Sequence, residues 1–173
     1  VPALIQPTKQ GEIYLLDRRD GRPLAEVEER PVPQGDAPGE RYSPTQPYSA
    51  GMPSFAPPPL TEADMWGATQ LDQLACRIEF RRRRYQGLYT PPSLTPTIQY
   101  PGNFGVMGWG GVAVDERRRI MVVNASYMPM LNRLVPRAEA DRIQGAGSGH
   151  ERGLNIAPQL GTPFASEFGP FLS

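Results

Sequence analysis

The sequence predicts an all-β fold with one helical insertion and long proline-rich loops. Three observations predict it: short runs of β-forming residues early and late in the chain, one stretch with helical periodicity between them, and 21 prolines among 173 residues. Glycine contributes 18 further residues, yet apolar residues make up 39% of the chain and cluster in short runs. We therefore expect a loop-rich folded chain rather than a disordered one.

The first thirty residues predict three short strands joined by tight turns. Residues 3–6 form a short apolar run, and residues 11–17 are rich in β-forming side chains. Asp20-Gly21 is a strong turn signal, after which residues 22–29 show a weaker alternation. Such a meander is typical of a β-sandwich or of a β-propeller blade.

Residues 30–59 are dominated by proline and predict an extended loop. Proline lacks the backbone donor and fixes φ, so neither a helix nor a central strand is expected here. The segment also carries large side chains, among them Tyr42, Tyr48, Met52 and Phe55. These residues indicate that the loop packs against the fold instead of hanging free as a linker.

Residues 60–87 predict the one good helix. Thr69 followed by Asp72 fits a capping box, in which hydroxyl and carboxylate satisfy free N–H groups. Gly87 can end the helix in a left-handed conformation. Helical spacing predicts one buried apolar face, formed by Leu71, Leu74, Ala75 and Ile78.

The β pattern returns in residues 97–137. Strands are expected at residues 97–100, 110–114 and 120–124, and the last two are separated by a charged turn. This unit loosely echoes the first thirty residues, which suits two successive blades. Residues 138–173 predict an irregular connection.

Composition excludes several classes of function. Lys plus Arg and Asp plus Glu each number 18, so nothing global indicates a nucleic-acid partner. Cys76 is the only cysteine, which excludes an internal disulfide and a cysteine metal cluster. No stretch approaches the roughly 18 apolar residues of a membrane span, and no signal peptide is visible. The first residues resemble the middle of a strand and the last residues end abruptly, so we expect a segment of a longer chain.

A series of motifs runs in one order along nearly the whole chain. They include Pro7-Thr8-Lys9-Gln10-Gly11, Leu16-Asp17-Arg18-Arg19-Asp20-Gly21, Met65-Trp66-Gly67-Ala68-Thr69, Thr90-Pro91-Pro92-Ser93, Pro101-Gly102-Asn103-Phe104-Gly105, Trp109-Gly110-Gly111 and Pro170-Phe171-Leu172-Ser173. The series resembles the membrane-bound glucose dehydrogenases that depend on pyrroloquinoline quinone (PQQ). Close relatives that act on quinate or shikimate share much of it, so the substrate is the weaker inference.

The resemblance implies a partial β-propeller, a few blades of an eight-bladed quinoprotein propeller. Residues 1–173 would all belong to this one domain, with blade strands in 1–30, a proline-rich loop and helical insertion in 31–96, further blade strands in 97–137 and the connection in 138–173. In the complete family protein, PQQ and Ca²⁺ lie on the propeller axis. The implied reaction is oxidation of D-glucose to gluconolactone, with quinate, shikimate or a polyol as alternative substrates. Electrons would pass to ubiquinone at the periplasmic face of the bacterial inner membrane.

Three residues match cofactor-binding positions of the family. Lys9 matches a lysine beside the ortho-quinone, where an ammonium stabilises the negative charge that develops on reduction. Asn124 matches an asparagine that donates to the same oxygens without adding charge. Trp109 would help to wall the pocket. Without the resemblance, the simpler interpretations are a solvated turn lysine, a residue ending a strand and a core aromatic.

The resemblance also implies that parts of the site lie elsewhere. The family's catalytic aspartate would lie upstream of this segment, so no catalytic residue is assigned here. The Ca²⁺ ligands and the membrane anchor would also lie outside it, and no metal ligand is assigned. Gly108 stands where the family has an acidic residue. A contrasting hypothesis is a propeller scaffold or binding module without redox activity.

The chain's single histidine is the last candidate for a catalytic residue. His150 beside Glu151 could form an acid–base pair, but it lies in a glycine-rich stretch without a nucleophile motif. We expect a surface residue there.

Overall fold

The computed structural model describes residues 1–145 and 155–171, so His150 and the glycine-rich stretch after Gly145 lie outside the described residues. The described elements, in chain order, are β1 (Ala3–Pro7), β2 (Ile13–Asp17), β3 (Val27–Pro31), β4 (Thr45–Ser49), a 3₁₀ helix (Glu62–Asp64), α1 (Gln70–Arg82), β5 (Thr97–Gln99), β6 (Val112–Asp115), β7 (Ile120–Val123), β8 (Met130–Pro136), α2 (Arg137–Gly145), β9 (Asn155–Ala157) and β10 (Phe164–Pro170). This mostly-β content with a helical insertion confirms the predicted fold class.

The chain forms two compact units, each assembled from three separate stretches. The hairpin unit comprises Val1–Val32, Ser43–Pro58 and Pro101–Met128. The sheet unit comprises Pro33–Tyr42, Pro59–Tyr100 and Pro129–Ser173.

The hairpin unit contains three antiparallel strand pairs, β1 with β2, β3 with β4, and β6 with β7. Its core is formed by Ile13, Val106 and Met107, each at most 3% exposed. Half-buried apolar side chains surround this centre: Ile5, Met52, Phe55, Val112, Met121, Val123 and Ala125. The core therefore joins β2 to β6 and β7 and to residues of the proline-rich stretch, which confirms that this stretch packs on the fold.

The prediction of a third strand at residues 22–29, joined to β2 in a meander, is wrong. After β2 the chain makes only an isolated bridge, between Leu16 and Pro23. Proline has no N–H with which to extend a ladder, and the regular strand starts four residues later, at β3. That strand pairs with β4 and not with β2.

The proline-rich stretch was expected to be an extended loop, yet it supplies the edge strand β4. Pro47 lies in the middle of that strand, opposite Glu29. β4 has one neighbour, β3, in a two-stranded sheet. A proline is tolerated at such an edge because not every N–H there has a ladder partner to lose.

The sheet unit is built around a four-stranded antiparallel sheet with the order β5-β8-β10-β9. β10 pairs with β8 over seven residues, from Phe164 opposite Pro136 to Pro170 opposite Met130. The irregular connection expected for residues 138–173 is therefore wrong within the described residues, which contain α2, β9 and β10. The sequence signal was weak because β10 includes both Gly169 and Pro170.

The helix α1 is shorter than expected, and it buries a different face. Its start is confirmed: the Asp72 carboxylate accepts from Thr69 N–H over 3.2 Å, and Thr69 Oγ1 accepts from Asp72 N–H over 3.2 Å. The helix ends at Arg82, before the extended residue Arg83, and not at Gly87.

The apolar face expected on α1 faces solvent. Leu71, Leu74 and Ile78 are 78%, 52% and 43% exposed. The inner face instead presents Cys76 and Phe80 to the core cluster of Met65, Ile98 and Phe171. The prediction was wrong because α1 carries apolar residues on both sides, and spacing alone does not say which side is covered.

Candidate functional site

Lys9 lies at the tip of the β1–β2 hairpin, in a turn fixed by Thr8 and Glu12. Thr8 N–H and Thr8 Oγ1 both donate to the Glu12 carbonyl, over 3.0 and 2.9 Å. Glu12 N–H donates back to Thr8 Oγ1 over 3.1 Å. Gly11 adopts a φ of +96°, and a Cβ there would lie 2.5 Å from Ala56 N. The turn therefore needs glycine for both its backbone angle and its close packing.

Three contacts hold Lys9 against the loop of residues 103–106. Val106 N–H donates to the Lys9 carbonyl over 2.7 Å, and Lys9 Nζ donates to the Asn103 carbonyl over 2.7 Å. Gly105, with a φ of +77°, lies so close that an added Cβ would approach Lys9 Cβ to 2.5 Å. The ammonium is exposed, but its stem is aligned along this loop. Lys9 is also the only lysine among the 18 basic residues.

The same loop forms one wall of an open cleft of about 490 Å³. The lining residues that matter here are Phe104, Gly105, Val106, Trp109, Asn124 and Ser126. Ser126 N–H donates to the Val106 carbonyl over 2.9 Å, which fixes the segment after β7 against the loop. The structure thus brings Asn124 and Trp109 together in one cleft. Lys9 is not a lining residue, but two of its contact partners, Gly105 and Val106, are.

The sequence leaves two interpretations of Trp109, a core aromatic and a wall of the pocket. It is fully exposed, so the core interpretation is wrong, and its indole borders the cleft. Phe104 lies on the same cleft and is 60% exposed. The sequence offers no separate signal for Phe104 beyond its place in the Pro101–Gly105 motif. Two solvent-facing aromatics beside one cleft offer flat apolar surfaces for a planar ring.

Gly108 also lines the cleft, at the position where the resemblance implies an acidic residue. A Cβ added there would meet only the Phe104 carbonyl oxygen, at 3.7 Å, which is ordinary contact. Packing therefore does not require glycine at this position. A larger side chain would fit at this position of the cleft wall without a clash at its Cβ.

The conspicuous aspartates serve local structure. Asp17, which is 6% exposed, accepts three hydrogen bonds from the Arg19 guanidinium and one from the Arg19 N–H. These bonds hold the pKa of Asp17 below its usual range. The Thr61 hydroxyl and N–H likewise lower the pKa of Asp64. Two further aspartates, Asp72 and Asp115, accept hydrogen bonds from Thr69 and Arg118.

Glu12 is a buried carboxylate that sequence reasoning missed. It is 4% exposed, and it accepts from Ser49 N–H over 3.1 Å and from Ser54 Oγ over 3.0 Å. Burial, and secondarily the charge of Glu12, raises the pKa of Tyr14 and of Tyr48. Glu12 directly precedes β2, next to the buried Ile13.

Two negative observations apply to residues 1–145 and 155–171. No group of three or more His, Cys, Asp and Glu side chains is arranged there to hold a metal ion. In the same part of the chain, neither helix has the length and apolar character needed to cross a bilayer.

A known protein family matches the chain over its whole length. The family described as the glucose/ethanol/alcohol dehydrogenase β-propeller domain, a PQQ family, matches residues 1–173. The chain belongs to this PQQ dehydrogenase family. Its members are quinoproteins, and PQQ is their cofactor. No solved structure matches the chain significantly.

Three named relatives are similar to the chain in sequence. The chain is 43% identical to the quinoprotein glucose dehydrogenase of Escherichia coli (strain K12), over all of this chain and 22% of that protein. It is 52% identical to the glycerol dehydrogenase large subunit of Gluconobacter oxydans (strain 621H), over 83% of this chain and 20% of that protein. A probable quinate dehydrogenase (quinone) of Xanthomonas campestris pv. juglandis is 42% identical, over 99% of this chain and 22% of that protein. The chain thus spans about a fifth of the length of these relatives.

Proposed function

We propose that this chain is a propeller segment of a PQQ-dependent dehydrogenase that oxidises D-glucose to gluconolactone and passes electrons to ubiquinone. Residues 1–173 would be part of one propeller domain at the periplasmic face of a bacterial inner membrane. The observation that carries the proposal is the attachment of Lys9 to the loop that walls the cleft of Asn124 and Trp109. Full-length relatives named as glucose dehydrogenases support the choice of substrate.

The residues at the cleft suit PQQ, which is a planar, anionic ortho-quinone. The Asn124 amide is exposed at the end of β7 and can donate to a carbonyl oxygen. The indole of Trp109 offers a flat face to a planar ring. Lys9 adds a positive charge beside the same loop. We therefore assign cofactor binding to Lys9, Asn124 and Trp109. The described residues contain no cluster of three or more His, Cys, Asp and Glu side chains, and we assign no Ca²⁺ ligand to this segment.

When bound, PQQ supplies the oxidising quinone of the reaction. Lys9 would keep a fixed positive charge near the quinone oxygens, where negative charge builds up in the transition state. Its carbonyl and ammonium are both anchored, so little reorganisation is needed as that charge develops. Asn124 would orient the ring by donation, and Trp109 would exclude water from one side.

A general base is needed to take the proton of the substrate hydroxyl. Asp17, Asp64, Asp72 and Asp115 are engaged in caps, turns and ion pairs. We therefore propose that an aspartate from the remaining propeller blades supplies the base, and that this segment contributes charge and orientation. The test is a titration of the full-length protein with PQQ and Ca²⁺, followed by dye reduction driven by D-glucose. The proposal fails if PQQ binds and glucose does not reduce the dye.

A polyol such as glycerol is the second candidate substrate. The observation that favours it is the higher identity, 52%, to a glycerol dehydrogenase large subunit over 145 aligned residues. Quinate or shikimate is the further alternative within the family. Parallel dye-reduction assays with glucose, glycerol and quinate separate the three, because the preferred substrate gives the highest kcat/KM.

A non-catalytic scaffold is the competing interpretation from another class. It predicts that the full-length protein binds neither PQQ nor a reducing substrate, although its blades fold. Failure of PQQ to quench the protein's tryptophan fluorescence, together with a normal unfolding transition, would favour the scaffold.

A further inference from the structure

Glu12 is buried in the hairpin unit without a cationic partner among the described residues. A buried charge is costly unless hydrogen bonds satisfy it. The carboxylate meets that requirement with two donors from different segments, Ser49 N–H on Oε2 and Ser54 Oγ on Oε1. One side chain thus joins the end of β4 to the loop that follows it.

This loop is in turn pressed against the turn that carries Lys9. Phe55 N–H donates to the Gly11 carbonyl over 2.8 Å. The Ser54 hydroxyl accepts from Ala56 N–H over 3.1 Å while donating to Glu12. The loop is held on its other side by the Tyr127 hydroxyl, which donates to the Phe55 carbonyl over 3.1 Å. Tyr127 lies three residues after Asn124.

The main chain of Glu12 also sets the position of Thr8. Three hydrogen bonds of 2.9 to 3.1 Å join these two residues, and Lys9 lies between them in the turn. A shift of Glu12 would therefore be transmitted to Thr8 and then to Lys9. The opposite side of Lys9 is fixed by Val106 and Asn103.

We infer that Glu12 is a positioning residue for Lys9: its buried carboxylate fixes the turn so that the ammonium is held ready for the cofactor. The inference rests on the proposed function and goes beyond it, because Glu12 itself does not touch the cleft. A carboxylate is not essential to the role. Glutamine could accept from Ser49 N–H with its carbonyl and donate to Ser54 Oγ with its amide.

The test is a double-mutant cycle on PQQ affinity, measured by tryptophan fluorescence quenching in the full-length protein. Glu12→Ala should weaken PQQ binding about tenfold, and Glu12→Gln should restore most of it. In a Lys9→Ala background, Glu12→Ala should cause no further loss, because Glu12 acts through Lys9. Glu29→Ala, which removes an exposed carboxylate from β3, is the matched control and should bind like the wild type.

Equal losses from Glu12→Ala in both backgrounds would overturn the inference, since a merely structural role weakens binding whether or not Lys9 is present. Should Glu12→Ala fail to fold, Ser54→Ala removes one of the two hydrogen bonds and enters the same cycle with a smaller expected loss. A wild-type protein that does not bind PQQ refutes the proposed function. A wild-type protein that binds PQQ, with Glu12→Ala unchanged, refutes only the role of Glu12.

Discussion

The N–H of Val106 donates to the carbonyl of Lys9 over 2.7 Å, although the two residues are almost a hundred positions apart in the chain. This bond joins the tip of the first hairpin to a loop that walls the cleft. Because Val106 is 1% exposed and part of the hairpin unit's core, it anchors Lys9 to a rigid part of the fold. An exposed lysine is thereby given a defined position, as the cofactor-binding role proposed for it requires.

On the proposed function, replacing Lys9 with alanine should lower kcat of the full-length protein on the order of 100-fold, because a preorganised charge near the quinone oxygens would be lost. Thermal stability should change by less than about 0.5 kcal/mol, since the side chain is exposed. Steady-state dye reduction and a thermal unfolding curve measure the two effects. Arg18→Ala is the control, because Arg18 is an exposed cation beyond the other end of the same hairpin. Equal rates in Lys9→Ala and Arg18→Ala would refute the proposed role of Lys9 in the site.

Gly105 should not tolerate alanine. Its φ of +77° disfavours any side chain, and the added Cβ would overlap Lys9. Gly105→Ala should cost more than about 1 kcal/mol of unfolding free energy and also weaken PQQ binding. Gly110→Ala is the matched control, since no atom lies within 4 Å of a Cβ there and its φ is not positive. If denaturant titration found the two variants equally stable, the close packing of Gly105 on Lys9 would be contradicted.

Asp17 should contribute stability that depends on pH. Arg19 lowers the pKa of Asp17 in the folded state, so the folded chain favours the ionised carboxylate. The contribution is therefore fully present above the unfolded pKa of about 4 and is lost as pH falls through the lowered folded pKa. Asp17→Asn lacks this contribution at neutral pH. Unfolding midpoints should be measured across acidic pH. The difference in stability between the wild type and Asp17→Asn should shrink below about pH 4. A difference that grows there would contradict the ion pair between Asp17 and Arg19.

The outer and inner faces of α1 should respond differently to substitution. Leu74→Ser, on the solvent side, should change the unfolding free energy by less than about 0.5 kcal/mol. Phe80→Ala should cost about 3 kcal/mol, because Phe80 packs on the core cluster and edge-on against Tyr85, with ring centroids 5.9 Å apart. Denaturant unfolding of both variants checks the contrast. A larger loss from Leu74→Ser would mean that another surface covers this face.

Short stretches of sequence were enough to predict the elements that interactions between nearby residues stabilise. The β1–β2 hairpin, the strand pair β6–β7 and the capped start of α1 follow from β-forming runs, turn residues and the Thr69–Asp72 pair. Strands that form only because distant parts of the chain pair with them were not predictable in this way. β4 exists because β3 lies beside it, and β10 forms despite Gly169 and Pro170 because β8 and β9 pair with it.

The site was predictable only in part, for the same reason. The resemblance identified Lys9, Asn124 and Trp109, and the structure places the last two on one cleft. The contacts that fix Lys9 could not be foreseen, because Asn103, Gly105 and Val106 are remote in sequence. Glu12 was invisible as a buried group, since its donors come from β4 and the loop after it.

The most direct test of the central claim is the reactivity of the Lys9 amine in the full-length protein with and without PQQ. As the only lysine of this segment, it can be followed by peptide-resolved mass spectrometry after amine acetylation. If Lys9 lies beside the quinone, PQQ should slow its acetylation several-fold, whereas lysines remote from the cofactor keep their rates. Unchanged acetylation of Lys9 while PQQ is demonstrably bound would contradict the account.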